Sequence, residues 1–376
     1  MVLKKILTVN NVIKNVVKTN EDLTTIANNY SEYMANNNYV IYNKSKLIIH
    51  DNQKESKRFI KNNALQLQKN NILKFKNRIK IVILSAIKVL TTRALNKKIK
   101  IETNEKVFSG QLLMILHGQN RVKIFDFNNN QVITIESNRE RLNRISETVA
   151  VYQNHFDVPI KEINHERKMI NEKIIEFLPS QDKNSQHKVK LYHQFLERYL
   201  TLIRSLDLKE TITLRAQLEK VNPTFKIVCT DLIKEFNQIG LDTKLVKIPQ
   251  HGDIIKKNFL YDGSKWYLID FEHSDNSAFI KDLFSIFIPD IMSYNKVLFN
   301  KFLKGEFDSK INSIFNQVDL VYDNSKSAKI EYLVISFIFR YTSRSLYDKD
   351  LTIEKMISNI QKFSNNLKTI SYADNV

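Results

Sequence analysis

The sequence predicts an α+β protein with two lobes, a small β-rich lobe followed by a large, mainly helical lobe. Extended segments separated by turns are concentrated between residues 100 and 178, whereas helical apolar spacing dominates from 179 to 376. The chain has 376 residues but only six glycines and five prolines, which favours helices and long strands over loops. We therefore predict three regions: an N-terminal, mainly helical extension at 1–99, the small lobe at 100–178, and the large lobe at 179–376.

Positive charge is concentrated in the N-terminal extension. Residues 1–100 contain 20 lysines and arginines against 5 acidic residues, so they carry +15 of the net charge of +18. From residue 69 to 100, apolar residues recur at three- and four-residue steps, while Lys76, Lys80 and Lys88 share another face. This basic amphipathic helix could lie on an anionic membrane surface or another polyanion. In the alternative interpretation, its apolar face docks on the neighbouring lobe and its lysines are solvated.

The cellular location follows from two further features. The single cysteine, Cys229, excludes an internal disulfide and a cysteine metal cluster, and no long apolar stretch follows Met1. The longest uncharged run in the basic helix, residues 81–87, is far shorter than the roughly 20 residues needed to span a bilayer. We therefore expect a cytoplasmic protein, either free or peripheral on the inner face of the membrane.

Secondary structure in the small lobe is predicted as strands, one helix, and strands. Four extended segments separated by turns form an antiparallel meander, at residues 100–103, 112–116, 121–127 and 131–136. A helix at about 138–155 follows, and a further strand pair ends near Pro179. The large lobe has candidate helices at about 187–204, 223–239 and 278–303. Within it, a hairpin is predicted from two apolar runs that flank the turn Asp262-Gly263.

Polar residues with a definite chemistry surround that hairpin. His251-Gly252-Asp253 and Asn258 precede it, and Asp270 follows it in the run Ile269-Asp270-Phe271-Glu272. The hairpin brings both of its ends to one edge, where Asn258 and Asp270 can supply hard oxygen ligands for Mg²⁺. Asp253 can then face a hydroxyl nucleophile. Phosphoryl transfer requires such parts, because most of its catalysis is positioning and electrostatic stabilisation.

These motifs resemble the aminoglycoside phosphotransferase and choline kinase family, the small-molecule branch of the protein-kinase-like fold. The family's catalytic loop, H-G-D-x-x-x-x-N, is matched from His251 to Asn258, and its I-D-[FW]-E motif is matched from Ile269 to Glu272. Protein kinases instead have H-R-D and D-F-G motifs. The resemblance covers residues 100–376. It implies a two-lobed kinase-like fold and dependence on ATP and Mg²⁺.

The resemblance also suggests a role for each residue of the large lobe. Asp253 would be the catalytic residue, and Asn258 and Asp270 would hold the metal. His251 is interpreted as a structural support of the catalytic loop, and Glu272 as either a metal ligand or a support. Asp282 stands where the family commonly has an aspartate before a helix of the large lobe.

The small lobe should supply the nucleotide-binding residues. Lys123, in the strand Arg121-Val122-Lys123, resembles the lysine that holds the ATP phosphates, and Glu147 on the next helix is its predicted partner. An extra strand at 131–136 leaves a second alignment open, in which Thr134 occupies the lysine position and the lobe lacks its phosphate clamp. Glu176 and Leu178 resemble the segment between the lobes that meets adenine.

The predicted function is an ATP- and Mg²⁺-dependent kinase acting on a hydroxyl of a small molecule or glycan. The basic extension favours an anionic or membrane-borne acceptor, for example a lipid-linked sugar or polyol in surface polysaccharide assembly. A non-catalytic, kinase-like binding protein is a second hypothesis, because the lysine assignment is open and the loop at 108–111 has a single glycine. A nucleic-acid-binding protein is a third. The absence of a nucleic-acid motif in the sequence disfavours it.

Overall fold

The structure is a computed structural model that describes residues 20–42, 47–51, 97–104, 106–116, 121–175, 185–236, 240–293, 297–347 and 352–372. The chain divides into two compact units. Unit 1 comprises Met1–Ser137 and Lys161–Ile174, and unit 2 comprises Asn138–Ile160 and Ile175–Val376. Unit 1 is built on a β-sheet and unit 2 is mainly helical, which confirms the predicted α+β class with a β-rich part and a helical part.

Unit 1 contains an eight-stranded sheet in the order β3-β1-β2-β4-β5-β6-β8-β7. The strands are β1 Asn37–Tyr42, β2 Leu47–His50, β3 Lys98–Ile101, β4 Leu112–Ile115, β5 Arg121–Asp126, β6 Gln131–Glu136, β7 Ile160–Asn164 and β8 Met169–Lys173. Neighbouring strands from β3 to β8 in this order pair antiparallel. The four predicted strands are confirmed as β3 to β6, including the extra strand β6. Only β4, β5 and β6 pair as the predicted meander, because β1 and β2 lie between β3 and β4.

The described part of the N-terminal region contributes to this sheet, which the sequence prediction of a mainly helical extension did not anticipate. β1 and β2 belong to residues 1–99, and Ile48 of β2 pairs with Leu113 of β4. In β1, Tyr39 and Ile41 are buried and alternate with more exposed neighbours, the period-two pattern of a strand. A helix over residues 20–29 places Leu23 in the same apolar core. The predicted basic helix lies outside the described residues.

Side chains alternate between the two faces of the sheet. Val122 and Ile124 of β5 belong to the core cluster that also contains the helix residue Leu23. Phe125 belongs to a smaller cluster with Val132 of β6. Because the side-chain period of a strand is two, Lys123 shares the face of Phe125 and lies opposite the larger core.

Unit 2 combines helices with two small sheets. Its strands are β9 Thr211–Ile212, β10 Leu245–Gln250, β11 Phe259–Tyr261, β12 Trp266–Leu268 and β13 Asp275–Ala278. One sheet has the order β13-β10-β9, and the other is the hairpin of β11 and β12. The helices are Arg139–Tyr152, Ser185–Arg204, Leu214–Leu218, Pro223–Phe236, Ile280–Ser285, Ile288–Met292, Val297–Leu303, Asp308–Gln317, Lys326–Tyr347 and Ile353–Tyr372. The predicted hairpin and the helices near 138–155, 187–204 and 223–239 are confirmed.

The single helix predicted at 278–303 was wrong, because the structure has three short helices there. Pro289 lies in the first turn of Ile288–Met292. Proline has no backbone N–H and clashes with the preceding turn, so it is tolerated at a helix start but not in a helix interior. The apolar spacing on either side of Pro289 is helical, but the chain must restart its helix there.

The helix Lys326–Tyr347 lies in the core of unit 2, and most of its residues from 328 to 343 are buried. Phe337 stacks on Phe363 of the helix Ile353–Tyr372, with ring centroids 3.9 Å apart. The helix Lys326–Tyr347 also contacts the short helix Ile280–Ser285, because its Ser336 donates a hydrogen bond to the carbonyl of Lys281. None of the described helices is long and apolar enough to cross a membrane.

Candidate active site

The candidate active site is the loop that follows β10 and runs from His251 to Asn258. The loop begins with a sharp turn at Gly252, whose φ is +81°. A Cβ at this position would lie 2.0 Å from the carbonyl oxygen of His273, so the turn passes directly against the segment after Asp270. Both the left-handed backbone and the close approach require glycine here.

Asp282 fixes the start of this loop from the helix Ile280–Ser285. Its carboxylate accepts hydrogen bonds from the backbone N–H groups of His251, at 2.6 Å, and Gly252, at 2.9 Å. The hydroxyl of Tyr152 donates a third, at 3.0 Å. Asp282 is fully buried, and burial raises the pKa of this carboxyl, with His251 and Lys281 opposing. The sequence analysis placed Asp282 only before a helix of the large lobe, whereas in the structure it lies within the helix Ile280–Ser285 and binds the start of the loop.

The ring of His251 connects the loop to the strand end before Asp270. Nε2 lies 2.8 Å from the carbonyl oxygen of Ile269, and Nδ1 accepts a hydrogen bond from the backbone N–H of Asp253. A carbonyl can only accept, so the ring proton belongs on Nε2. Burial lowers the pKa of His251, which keeps the ring neutral. This arrangement supports the predicted structural role of His251.

Asp253 is buried, at 1% exposure, and each of its carboxylate oxygens has a different set of partners. Oδ2 accepts a hydrogen bond of 3.0 Å from Asn258 Nδ2. Oδ1 pairs with the guanidinium groups of Arg340 and Arg344, the latter at 2.8 Å. Burial alone would raise the pKa of Asp253, but the charges of Arg340 and Arg344 outweigh it and hold that pKa well below its ordinary range. Asp253 is therefore an ionised acceptor at neutral pH and only a weak base.

Asn258 and Asp270 stand side by side at the open end of the hairpin. Phe259 of β11 pairs with Leu268 of β12, and the backbone N–H of Ile269 donates to the carbonyl of Asn258 at 2.9 Å. Asp270 follows at once, with a left-handed backbone at φ +71° and ψ +58°. A residue other than glycine in this region is uncommon and often marks a functional site.

The chemistry of these two side chains fits a magnesium ion bound with a nucleotide. The side chain of Asn258 donates its hydrogen bonds from Nδ2. Among the described residues, the Asp270 carboxylate has no hydrogen bond or ion pair. No described cluster of three histidine, cysteine, aspartate or glutamate side chains could hold a metal by itself. Mg²⁺ commonly takes one or two protein oxygens and completes its shell with phosphates and water. Asn258 and Asp270 would hold it in that way.

The segment after Asp270 has one contact within itself and one with a neighbouring helix. Glu272 Oε1 lies 3.3 Å from His273 Nε2. Arg144 of the helix Arg139–Tyr152 donates from Nε to the carbonyl of Ser274 at 3.2 Å. Glu272 has further interactions within the described part of the chain. Both predicted roles of Glu272, metal ligand and support, remain predictions, and its contact with His273 provides a basis for the supporting one.

In unit 1, Lys123 faces a carboxylate that the sequence prediction did not consider. Its Nζ lies 3.5 Å from Glu172 Oε2 of β8. Thr134, directly opposite Lys123 on β6, donates to the same oxygen at 3.2 Å. Lys123 and Thr134, the two candidates for the phosphate-binding position, therefore both contact the carboxylate of Glu172. Glu147 lies on an exposed part of the helix Arg139–Tyr152, and its predicted role stays a prediction.

Several predicted residues lie outside the described residues. They are the adenine-segment residues Glu176 and Leu178 and the basic-helix residues Lys76, Lys80 and Lys88. Conversely, the sequence analysis missed Arg340, Arg344 and Glu172. A signal for the arginines exists, because Arg340 ends the mostly apolar run at 332–339 of a long helix and Arg344 follows about one turn later.

Comparisons with known proteins gave results only for solved structures. No family model and no curated protein sequence matches the chain. The chain is similar to choline kinase LicA from Streptococcus pneumoniae, at 13% identity and a TM-score of 0.44, over 68% of this chain and 93% of that one. It is also similar to aminoglycoside 2'-phosphotransferase-IIIa in complex with GDP, at 12% identity and a TM-score of 0.44, over 69% and 95% of the two chains.

A third similar structure is a choline/ethanolamine kinase family protein from Mesorhizobium loti, at 11% identity and a TM-score of 0.41, over 70% of this chain and 89% of that one. Choline kinases and aminoglycoside phosphotransferases are the enzymes that the motifs from His251 to Glu272 resemble. These likenesses concern the path of the chain, and we base the function on the site residues.

Proposed function

We propose that the protein is an ATP- and Mg²⁺-dependent phosphotransferase that phosphorylates a hydroxyl of a small molecule or glycan. The observation that carries this proposal is the grouping of Asp253, Asn258 and Asp270 in unit 2. Asn258 Nδ2 donates to both the backbone carbonyl and the carboxylate of Asp253, and a backbone hydrogen bond places Asn258 beside Ile269 and hence beside Asp270. Phosphoryl transfer needs a positioned acceptor hydroxyl and hard oxygen ligands for the metal, and these residues supply both.

In the proposed mechanism, Asn258 and the Asp270 carboxylate would hold Mg²⁺. The bound metal would neutralise charge on the transferred phosphoryl group. Asp253 accepts a hydrogen bond from the acceptor hydroxyl and aims its oxygen. Because the pKa of Asp253 is held low, its main contribution is orientation, with proton transfer late in the reaction. His251 and Asp282 hold the loop, and Lys123 is proposed to steady the phosphates.

A lipid-linked sugar or polyol of surface polysaccharide assembly is one proposed acceptor, and peripheral attachment to the inner face of a membrane is proposed with it. Both rest on the charge of residues 1–100. A non-catalytic binding protein is disfavoured, because Asp253, Asn258 and Asp270 are all present and grouped.

A thermal-shift experiment with ATP and MgCl₂ tests the proposal directly. We expect ATP with MgCl₂ to raise the melting temperature, whereas ATP with EDTA should raise it less. Release of ADP or transfer from γ-labelled ATP to a hydroxyl acceptor would then establish catalysis. Stabilisation by a DNA or RNA oligonucleotide without any effect of MgATP would reject the kinase in favour of the nucleic-acid hypothesis.

A further inference from the structure

Two arginines of the helix Lys326–Tyr347 meet at the proposed catalytic residue. Arg340 and Arg344 are four residues apart, so they lie on one face of the helix about one turn from each other. Both guanidinium groups reach the same oxygen, Oδ1 of Asp253. Neither arginine belongs to the motifs from His251 to Glu272, and the proposed mechanism leaves them without a task.

More cations than anions take part in the ion pairs at Asp253, although the charge of Asp282 also acts on Arg340. The guanidinium groups of Arg340 and Arg344 face the single carboxylate of Asp253. A third cation, Lys257 Nζ, lies 4.0 Å from Asp253 Oδ2. The side chain of Arg340 is only 7% exposed. Burying a cation without a compensating anion is costly, so an excess of buried positive charge favours an added anion.

Unused hydrogen-bond donors lie in the same place. In the part of the chain that the structure describes, Arg340 Nη1 and Arg344 Nε are buried and have no hydrogen-bond partner. Buried polar groups are normally paired, and a guanidinium presents its donors in a planar fork that matches phosphate and carboxylate oxygens. Two guanidinium groups that each have an unpaired N–H donor are suited to bind an anionic group.

The geometry around Asp253 indicates which reactant supplies that group. Asn258, a proposed metal ligand, binds Oδ2, while the arginines bind Oδ1. The arginines thus contact Oδ1, the carboxylate oxygen of Asp253 that Asn258 does not bind. The Arg344 side chain is 19% exposed and so reaches the surface, although Asp253 and the unused donors are buried. This arrangement favours an anion on the acceptor over one on the metal-bound nucleotide.

We propose that Arg340 and Arg344 form a binding site for a phosphate group carried by the acceptor, close to the hydroxyl that receives the new phosphoryl group. This deepens the proposed function and rests on it. A phosphate ester is the best match because its several terminal oxygens can accept from both guanidinium forks at once. The acceptor is accordingly a phosphorylated sugar or polyol, either soluble or attached to a lipid through phosphate.

Binding of simple probes to the full chain tests this site in the presence of MgADP. The probes are inorganic phosphate, glycerol 3-phosphate and, as its neutral counterpart, glycerol. We expect glycerol 3-phosphate to bind, and Arg344→Gln to weaken that binding by about tenfold to a hundredfold, the range for charge-assisted hydrogen bonds. Arg340→Lys keeps the charge and loses the fork, so it should weaken phosphate binding as well.

The matched control is Arg215→Gln, the same change at an exposed arginine of the helix Leu214–Leu218. Arg215 pairs with Asp242 at 2.6 Å, and both side chains are more than half exposed. This variant should bind glycerol 3-phosphate like the parent. Melting temperatures of all variants establish that they are folded, and Arg344→Gln should fold because Arg340 still compensates Asp253.

The outcomes separate the proposal from its rivals. Equal affinities for glycerol 3-phosphate and glycerol, or phosphate binding that survives both arginine changes, overturn the proposal. A loss of MgADP affinity in Arg344→Gln equal to the loss of phosphate affinity also overturns it, because the arginines would then serve the nucleotide. Tighter binding of farnesyl pyrophosphate than of inorganic pyrophosphate, lost in Arg344→Gln, supports the lipid-attached source, and equal affinity supports the soluble one.

Failure of the anion site is distinguishable from failure of the proposed function. MgATP stabilisation and transfer to a neutral polyol, with no arginine-dependent phosphate binding, would leave the kinase standing and remove the anion site. Arginine-dependent phosphate binding without any response to MgATP would leave the anion site and remove the kinase.

Discussion

The ring Nε2 of His251 lies 2.8 Å from the carbonyl oxygen of Ile269, the residue immediately before Asp270. Through its backbone N–H, the same histidine is held by Asp282 at 2.6 Å. Through its ring and its backbone N–H, this one buried residue links three elements: the loop that carries Asp253, the strand end that carries Asp270, and the helix Ile280–Ser285. Displacing the ring would move the proposed catalytic and metal-binding residues relative to each other.

We predict that stability depends on the neutral state of His251. Burial lowers its pKa in the folded protein, whereas in the unfolded chain it titrates near its ordinary value of about 6.5. The unfolded state therefore binds the extra proton first as the pH falls, and the free energy of unfolding decreases below about pH 6.5 by up to about 1.4 kcal/mol per pH unit. Urea unfolding between pH 6.5 and 5 measures this slope.

The control for this prediction is His251→Gln, whose amide can still donate to Ile269. Burial also lowers the pKa of His193, so the parent slope contains a contribution from that residue, and only the difference between parent and variant reports His251. Identical slopes in the two proteins would contradict the prediction.

We predict that Asp253→Asn removes phosphoryl transfer and leaves nucleotide binding largely intact. The amide keeps the shape of the side chain, but it cannot take a proton and no longer balances Arg340 and Arg344. Leaving buried charges unpaired costs roughly 3–5 kcal/mol of stability. Turnover, MgATP binding and urea unfolding of the purified variant check the three parts of the prediction.

Asp242→Asn is the matched control for Asp253→Asn. It removes a carboxylate that pairs with an arginine on the surface, where solvent screens an ion pair and its contribution to stability is small. A folded Asp253→Asn variant with near-parental turnover would reject Asp253 as the residue that orients the acceptor.

We predict that Asp270→Asn removes the Mg²⁺ dependence of ATP binding. Asparagine tolerates the left-handed backbone observed at this position, so the substitution deletes a charged oxygen ligand without straining the chain. Asp270→Ala should lose the same dependence and also some stability, because alanine is disfavoured at φ +71°. If MgATP raised the melting temperature of both variants as in the parent, Asp270 would not hold the metal.

The sequence was sufficient to predict the hairpin and its flanking polar residues, because they depend on short-range signals. The Asp262-Gly263 turn and the alternation beside it determine the pairing of β11 with β12, and this pairing alone puts Asn258 next to Ile269. The charge partners of Asp253 could not be placed in the same way. Arg340 lies 87 residues from Asp253, and only the packing of a long helix brings them together.

The residues of unit 1 show a different limit. Lys123 and Thr134 were treated as alternatives for one position, but register pairs them directly across β5 and β6. Their common partner, Glu172, comes from β8, after an intervening helix and β7. Strand order in a sheet is set by long-range packing. A sequence pattern that identifies each strand therefore does not reveal which side chains of different strands touch on one face of the sheet.

We predict that changing Lys76, Lys80 and Lys88 together to glutamine weakens binding to anionic liposomes by about two powers of ten. Each lysine near such a surface contributes on the order of 1 kcal/mol, and the attraction should fade as salt rises. Glutamine is nearly as good a helix former as lysine, so the substitutions should not disfavour the helix that the sequence predicts there. Flotation at low and high salt measures the effect, and unchanged flotation would show that these lysines are only solvated.

We predict that Gly252→Ala disables the active site by displacing the segment after Asp270. The new Cβ would lie 2.0 Å from the carbonyl oxygen and 2.8 Å from the carbonyl carbon of His273, which are backbone atoms and cannot rotate away. The left-handed backbone at φ +81° adds about 1–2 kcal/mol of strain. Turnover should fall strongly, and urea unfolding should show a loss of stability on the order of 2 kcal/mol or more.

Gly240→Ala is the control for this substitution, because its Cβ would meet no atom closer than 4.0 Å and its backbone is not left-handed. It should keep parental turnover and stability. The displaced segment contains Glu272 and His273 and follows Asp270 directly, so Gly252→Ala should also weaken MgATP binding, although Gly252 is not a proposed ligand. A variant that loses stability while keeping parental MgATP affinity would show that the contact between Gly252 and His273 does not position the metal-binding residues.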